Sequence, residues 1–205
     1  MELLATGPSD ASLTVALAHG AGAAMDSPFM DVVAMGLARR GVRVVRFEFP
    51  YMRERRLDGR RRPPDGLHRL KSTWNEVIDA LGAERLIVGG KSMGGRIASM
   101  IADERAVSGL VCLGYPFHPP GQPTKRRIAH LAALETPTLI VQGTRDPFGT
   151  RSEVTEYPLS DRIELRWIED GDHSLKPRVR SGRTLDQNLA EAVDAVAAFV
   201  ATLAD

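Results

Sequence analysis

The most informative part of the chain is Leu86-Ile87-Val88-Gly89-Gly90-Lys91-Ser92-Met93-Gly94-Gly95-Arg96. Its apolar start predicts a buried strand, and the apolar residues that follow it predict a helix. Residues 90–94 form a G-x-S-x-G sequence, in which a serine lies on a sharp strand-to-helix turn and glycines allow close backbone packing. We therefore predict Ser92 as a nucleophile; a glycine-rich turn that only permits packing is the alternative. We expect the Lys91 side chain to point away, because neighbouring side chains diverge around a sharp turn.

A second glycine-containing turn occurs earlier in the chain. Residues 12–18 predict a strand, and His19-Gly20-Ala21-Gly22-Ala23 follows it directly. A serine nucleophile needs backbone N–H groups aimed at the oxyanion of its intermediate, one from the next residue and one from a loop of this kind. We predict that the amides of Met93 and Ala21 form an oxyanion hole. An ordinary strand-to-helix turn is the alternative.

Strand and helix patterns alternate along most of the chain. Strands are predicted at 12–18, 42–47, 108–114, 138–142, 163–168 and the run that starts at Leu86; helices are predicted from Ser27-Pro28, over 73–81, after Ser92 and over 185–203. This alternation is typical of an α/β fold, a mostly parallel sheet with helices on both faces. We predict a single domain over residues 1–205 without a cap domain. Only residues 115–121 and a helix from Arg127 to Leu134 remain to cover the site, which predicts an open cleft.

Composition and charge exclude several classes of function. The chain has 205 residues, of which 43% are hydrophobic, and its 27 basic and 26 acidic residues leave a net charge of +1. This balance gives no reason to expect a nucleic-acid partner or a membrane surface. The sequence shows neither a signal-peptide pattern nor an apolar run as long as a membrane span, so we expect a cytoplasmic protein. The single cysteine, Cys112, has apolar neighbours and is predicted to be buried.

One segment departs from the α/β pattern. Residues 51–70 contain seven arginines and the pair Pro63-Pro64, which predicts a long loop with at most a short helix. The arginines could form a surface that binds an anion or a partner. The interpretation we favour is a solvated loop in which acids elsewhere neutralise several of them.

A serine nucleophile also needs a base and a group that orients the base. In α/β-hydrolases these follow the serine in the order acid, then histidine, each at the carboxyl end of a strand. Of the five histidines, this order favours His173 over its main competitor, His118. Asp146 follows the preceding predicted strand and is the predicted acid. Asp170 and Asp172 are too near the histidine in sequence to face its ring easily.

Four segments resemble one small α/β-hydrolase family: residues 89–96, 114–121, 141–149 and 171–174. That family also includes a testis-expressed protein and a subunit of a chromatin acetyltransferase complex, and it is broadly similar to dienelactone-hydrolase-like proteins. The resemblance extends from about His19 to the final helix. It implies an α/β-hydrolase fold with Ser92, Asp146 and His173 as the catalytic triad, and it implies little about the substrate.

Three functions are compatible with these residues. The first is a serine hydrolase that cleaves a small carboxylic ester or thioester through an acyl-enzyme, with no cofactor or metal and a small ester or acyl compound as its partner. The second is an interaction module that uses the arginine-rich segment or residues 115–121. The third is a serine peptidase. The sequence does not indicate the oligomeric state or the acyl group.

Overall fold

The computed structural model describes residues 2–204, and its centre is a seven-stranded sheet. The strands are β1 (Leu3–Thr6), β2 (Thr14–Ala18), β3 (Arg43–Phe47), β4 (Leu86–Lys91), β5 (Gly109–Leu113), β6 (Thr138–Gly143) and β7 (Ile163–Ile168). They lie in the order β1-β3-β2-β4-β5-β6-β7, and only the pairing of β1 with β3 is antiparallel. The predicted mostly parallel sheet is confirmed.

Helices cover both faces of this sheet. They are α1 (Pro28–Ala38), α2 (Pro50–Asp58), α3 (Leu67–Leu81), α4 (Met93–Ser99), α5 (Arg151–Val154) and α6 (Leu185–Thr202). Side chains alternate between the faces of a strand, so Val15 and Leu17 of β2 pack with α1 and α6. Ala16 and Ala18 of the same strand pack with α3 and α4. Buried apolar layers therefore hold the central strands from both sides.

Two sequence predictions about local structure are wrong. The arginine-rich segment is mostly helical: α2 and the start of α3 occupy it, and only residues 59–66 between them are irregular. The helices form there because Tyr51, Met52 and Leu70 are buried against the core, which offsets the polar composition. The helix predicted from Arg127 to Leu134 is only a short 3-10 turn at Leu131–Ala133.

The sequence also did not indicate two short elements, β1 and α5. The strand β1 lies at the sheet edge and is largely exposed, so its stability comes from its pairing with β3 rather than from a local pattern. The helix α5 has only four residues.

The carboxyl ends of the parallel strands share one edge of the sheet, where α/β proteins place their sites. The strand β4 lies near the centre of that edge, between β2 and β5. Within residues 2–204 no inserted segment forms a separate cap domain, as predicted. In the same range, no helix combines the length and apolar character needed to cross a membrane.

Candidate active site

Ser92 occupies the sharp turn between β4 and α4. Its φ of 50° and ψ of −113° are unfavourable for a residue with a Cβ, so the surrounding packing must hold this conformation. The glycines on either side explain how the packing does so. A Cβ on Gly90 would lie 2.1 Å from the Ala18 carbonyl oxygen, and one on Gly94 would lie 2.4 Å from the same oxygen. The turn can approach β2 this closely only because both positions lack side chains.

The structure brings Ser92, His173 and Asp146 together. The Nε2 atom of His173 lies 2.8 Å from the Ser92 hydroxyl oxygen, and its Nδ1 atom lies 2.7 Å from Oδ2 of Asp146. The Asp146 carboxylate is fully buried, and it also accepts hydrogen bonds from the Gln142 side-chain amide and the Phe148 backbone N–H. Because an ionised carboxylate only accepts, Nδ1 donates to Asp146 and the Nε2 lone pair faces the serine hydroxyl. This is the arrangement that proton transfer from the serine requires.

Backbone contacts between two loops set the separation of the acid and the histidine. Asp146 follows β6 and His173 follows β7, and the Arg145 N–H donates to the Gly171 carbonyl at 2.9 Å. The loops approach so closely that a Cβ on Gly143 would lie 2.3 Å from that same carbonyl oxygen. The position of His173 therefore depends on the lack of a side chain at Gly143.

The competing acids and the competing histidine have other partners. Asp170 binds Arg178, which lowers the pKa of that carboxyl to about 2. Asp172 accepts hydrogen bonds from two backbone N–H groups of its own turn, those of residues 174 and 176. His118 is buried beside Pro119, whose carbonyl lies 2.9 Å from its Nδ1. None of the three takes part in the hydrogen bonds of Ser92.

The two predicted oxyanion donors, Ala21 and Met93, line a cavity together with Ser92. Among residues 2–204, neither amide donates a hydrogen bond to another group of the chain. The buried ring of His19 lies 2.7 Å from the Gly20 carbonyl oxygen through Nδ1 and accepts from the Phe49 N–H through Nε2. Since the carbonyl and the next N–H point opposite ways across a trans peptide, this contact directs the Ala21 N–H. His19 lies in the glycine-containing loop predicted from the sequence, but no local pattern indicates this contact.

The prediction that Lys91 points away is wrong. Its ammonium donates to the backbone carbonyl of His173, and it lies 5.4 Å from the centre of the Phe29 ring. Burial lowers the pKa of Lys91 to about 8, although the nearby carboxylates of Asp146 and Asp172 act in the opposite direction. Lys91 therefore helps to hold the histidine loop over the sheet. The side chain follows this path because the end of β4 directs it toward the neighbouring loop, which local spacing does not reveal.

Two cavities meet at Ser92. The arginine pocket, of about 400 Å³, is lined by Arg96, Arg127, Met93, Ile97, Pro116 and Leu67 among others. The apolar pocket, of about 320 Å³, is lined by residues 20–23, Phe29, Met30, Lys91 and His173 among others. A larger groove of about 640 Å³ lies along β7 and α6, but it contains none of the three hydrogen-bonded residues. The two smaller cavities, which both include Ser92, are therefore the candidate substrate site.

Residues 11–201 match the model of the family described as alpha/beta hydrolase domain. The chain belongs to this family. The match covers nearly all of the described sheet and every residue of the site above. The narrower resemblance, to the group with the testis-expressed protein and the acetyltransferase-complex subunit, stays a prediction.

Solved structures of other α/β-hydrolases share the fold. An alpha-beta serine hydrolase homologue from Coxiella burnetii superposes with a TM-score of 0.68 at 21% identity, covering 95% of this chain and 90% of the other. A dienelactone hydrolase from Anabaena variabilis gives 0.69 at 24% identity, covering 96% and 87%. Est1E from Butyrivibrio proteoclasticus gives 0.68 at 15% identity, covering 98% and 93%. At these identities the likeness concerns the fold.

Acids neutralise several arginines of the arginine-rich segment, but they come from two places. Arg56 bonds to Glu48 and Asp26, which lie elsewhere in the chain as predicted. Arg62 instead bonds to Asp58 of the segment itself, whose pKa it lowers to about 2. Within residues 2–204, no three His, Cys, Asp or Glu side chains lie close enough to bind a metal ion together. The predicted burial of the cysteine, Cys112, is confirmed, and burial raises the pKa of its thiol.

Proposed function

We propose that this protein is a serine hydrolase that cleaves a small carboxylic ester or thioester through an acyl-enzyme. The observation that carries the proposal is the hydrogen-bonded line from Ser92 through His173 to buried Asp146, which ends where two cavities meet. A small ester can place its carbonyl at the serine and one part in each cavity.

In the first half of the proposed reaction, Ser92 Oγ attacks the acyl carbon while His173 Nε2 takes its proton. Asp146 stabilises the resulting imidazolium, and the amides of Ala21 and Met93 bind the oxyanion. A donor of this kind contributes about 10²- to 10³-fold to kcat. When the intermediate collapses, the bond to the leaving oxygen or sulfur breaks and His173 returns the proton to that atom. This step produces an alcohol or thiol and leaves the acyl group on the serine.

In the second half, water replaces the leaving group. His173 takes a proton from the water as its oxygen attacks the acyl carbon, and the same two amides bind the second oxyanion. Collapse breaks the bond to Ser92 Oγ, which regains the proton from the imidazolium. The products are a carboxylic acid and the free enzyme. The strained conformation of Ser92 keeps the hydroxyl at the same place in both halves.

The proposal is tested with a fluorophosphonate probe and mass-spectrometric mapping of the labelled residue. We expect the wild-type protein to be labelled at Ser92, the Ser92→Ala variant to lose the label, and the Cys112→Ala variant to retain it. A properly folded wild-type protein that takes up no label contradicts the proposal. A series of p-nitrophenyl esters of increasing chain length then measures which acyl group is preferred.

A serine peptidase would use the same residues, so the geometry of Ser92 alone does not separate it from an esterase. Aminoacyl amides and short acyl esters of matched size discriminate between them. Because serine peptidases also cleave esters, turnover of the amides decides. Cleavage of the esters without turnover of the amides supports the proposed function, and turnover of the amides at a rate comparable to that of the esters replaces it with the peptidase.

A further inference from the structure

We propose that the substrate carries an anionic oxygen group, a carboxylate or a phosphate, which Arg96 and Arg127 bind in the arginine pocket. This inference rests on the proposed function, because it places the anion and the scissile bond in one molecule. It assigns a substrate class to the site rather than a new reaction.

The first observation is that the two arginines share one cavity with the candidate nucleophile. Arg96 lies on α4, one turn after Ser92, and its backbone N–H donates to the serine carbonyl at 3.0 Å. Arg127 lies on the irregular segment that follows β5, where its N–H donates to the Phe117 carbonyl. Both side chains are partly buried, and both line the cavity that contains the serine. Two cations from separate parts of the chain therefore converge beside the reacting atom.

The second observation is that these cations have no anionic partner in the described part of the chain. Within residues 2–204, neither guanidinium lies within 4.0 Å of a carboxylate oxygen, and the Nε–H of Arg96 is buried without an acceptor. Burial lowers the pKa of Arg96, and the charge of Arg127 acts in the same direction. Arg46, another shielded arginine, is by contrast paired with a carboxylate, that of Asp31. Two partly buried positive charges that lie close together without a carboxylate partner are unfavourable unless a ligand supplies the anion.

The third observation concerns the one carboxylate that lines the arginine pocket, that of Asp65. It already accepts a hydrogen bond from the Tyr51 backbone N–H at 2.9 Å and pairs with Arg69 at 3.2 Å. Its charge is therefore balanced by groups other than the two pocket arginines. The pocket keeps an excess of positive charge, which favours an anionic ligand.

The chemistry of the side chains defines the class of ligand. A guanidinium presents a planar set of donors that matches the oxygens of a carboxylate or phosphate, and such charge-assisted hydrogen bonds are among the stronger ones. A volume of about 400 Å³ accommodates a small acid of a few carbons. An ester that carries such a group would be oriented by the arginines with its carbonyl at Ser92.

The test compares charged esters with neutral esters of the same shape. One set consists of the p-nitrophenyl monoester of glutaric acid, its methyl-capped analogue, and the p-nitrophenyl ester of 4-phosphonobutyric acid. A second pair, 4-acetoxybenzoate and its methyl ester, places the charge on the leaving group instead. We expect kcat/KM for a charged member of at least one set to exceed that of its capped analogue by about 10-fold or more. The glutarate and phosphonate compounds distinguish the two kinds of anion.

Variants then assign the preference to the arginines. We expect Arg96→Gln and Arg127→Gln to remove most of the preference, mainly through a higher KM for the charged ester. The matched control is Arg126→Gln, because the Arg126 guanidinium lies 4.9 Å from the centre of the Tyr157 ring and does not line the arginine pocket. This control should keep the wild-type ratio. A wild-type protein that prefers the capped esters, or a preference that survives both pocket variants, overturns the inference.

A binding measurement separates this inference from the proposed function. If the wild-type protein hydrolyses none of the esters, the proposed function fails. Calorimetric titration of the Ser92→Ala protein with the same charged and capped esters then tests the arginine pocket alone, since this variant cannot form an acyl-enzyme. Tighter binding of the charged ester that depends on Arg127 supports the inference. Equal binding of both esters overturns it.

Discussion

Replacing Gly143 with alanine tests whether close loop packing positions the candidate base. The added Cβ would lie 2.3 Å from the Gly171 carbonyl oxygen and 2.5 Å from that of Asp172. Cβ atoms essentially never approach other atoms more closely than 3.0 Å, so the two backbones must separate by about 0.7 Å. Both neighbours belong to the loop that carries His173. The substitution therefore acts on the distance between the loop of the acid and the loop of the base.

The size of the effect follows from the hydrogen bonds of His173. They measure 2.7 Å to Asp146 and 2.8 Å to Ser92, so a displacement of this size brings one of them to the limit of a useful hydrogen bond. A misplacement of about 1 Å in a catalytic group costs about 100-fold, and we expect kcat to fall by about 10- to 100-fold. Overpacking should also lower the free energy of unfolding by about 1–3 kcal/mol.

The assay is the rate of fluorophosphonate labelling, together with kcat for the best p-nitrophenyl ester. Circular dichroism and urea titration show that the variant is folded under assay conditions. The control is Gly66→Ala, because Gly66 has an ordinary φ of −61° and a Cβ there meets no atom within 4 Å. This control should keep wild-type kcat. A folded Gly143→Ala protein that also keeps wild-type kcat would refute the reasoning.

Three further substitutions test other contacts. Gln142→Leu removes a 2.9 Å hydrogen bond to Asp146, and we expect kcat to fall by about 10-fold in steady-state kinetics. An unchanged kcat would show that Asp146 is positioned without this hydrogen bond. Lys91→Met tests the buried ammonium, whose pKa of about 8 lies below the value of 10.5 for an exposed lysine. Between these pH values the folded wild type binds fewer protons than the unfolded chain, so its free energy of unfolding in urea, relative to that of Lys91→Met, should rise from pH 8 to pH 10.5. A difference between the two proteins that stays constant over this range contradicts the prediction. Arg56→Gln leaves the nearly buried Glu48 carboxylate without its bidentate partner. We expect the free energy of unfolding at pH 7 to fall by about 1–2 kcal/mol. An unchanged urea midpoint would show that the ion pair does not contribute to stability.

The turn at Ser92 could be predicted from the sequence because its determinants are local. Glycines at positions 90 and 94 and the apolar runs on both sides belong to one short segment, and close backbone packing admits few residue types there. The choice of Asp146 and His173 required more than local spacing, because it used the order in which α/β-hydrolases place the acid and then the histidine at the carboxyl ends of strands. Parallel strands bring those ends to one edge of the sheet, and the structure brings the three residues within hydrogen-bonding distance.

The errors arise where local composition and tertiary packing disagree. The arginine-rich segment reads as a loop, yet α2 and α3 form there because a few buried side chains, including Tyr51 and Leu70, dock on the core. The segment from Arg127 to Leu134 contains helix-forming residues, but it follows the edge of the site and forms only a 3-10 turn. Propensity contributes a few tenths of a kcal/mol per residue, so packing determines such segments.

The sequence by itself determined the fold class, the strained turn at Ser92 and the choice of Asp146 and His173 as its partners. Each of these depends on short-range spacing or on the order of residues along successive strands. Only the tertiary structure decided the direction of Lys91, the contact of His19 with the Gly20 carbonyl and the convergence of Arg96 with Arg127. These contacts join residues from separate elements. Their geometry depends on how the elements pack in three dimensions, and no spacing along the chain records that packing.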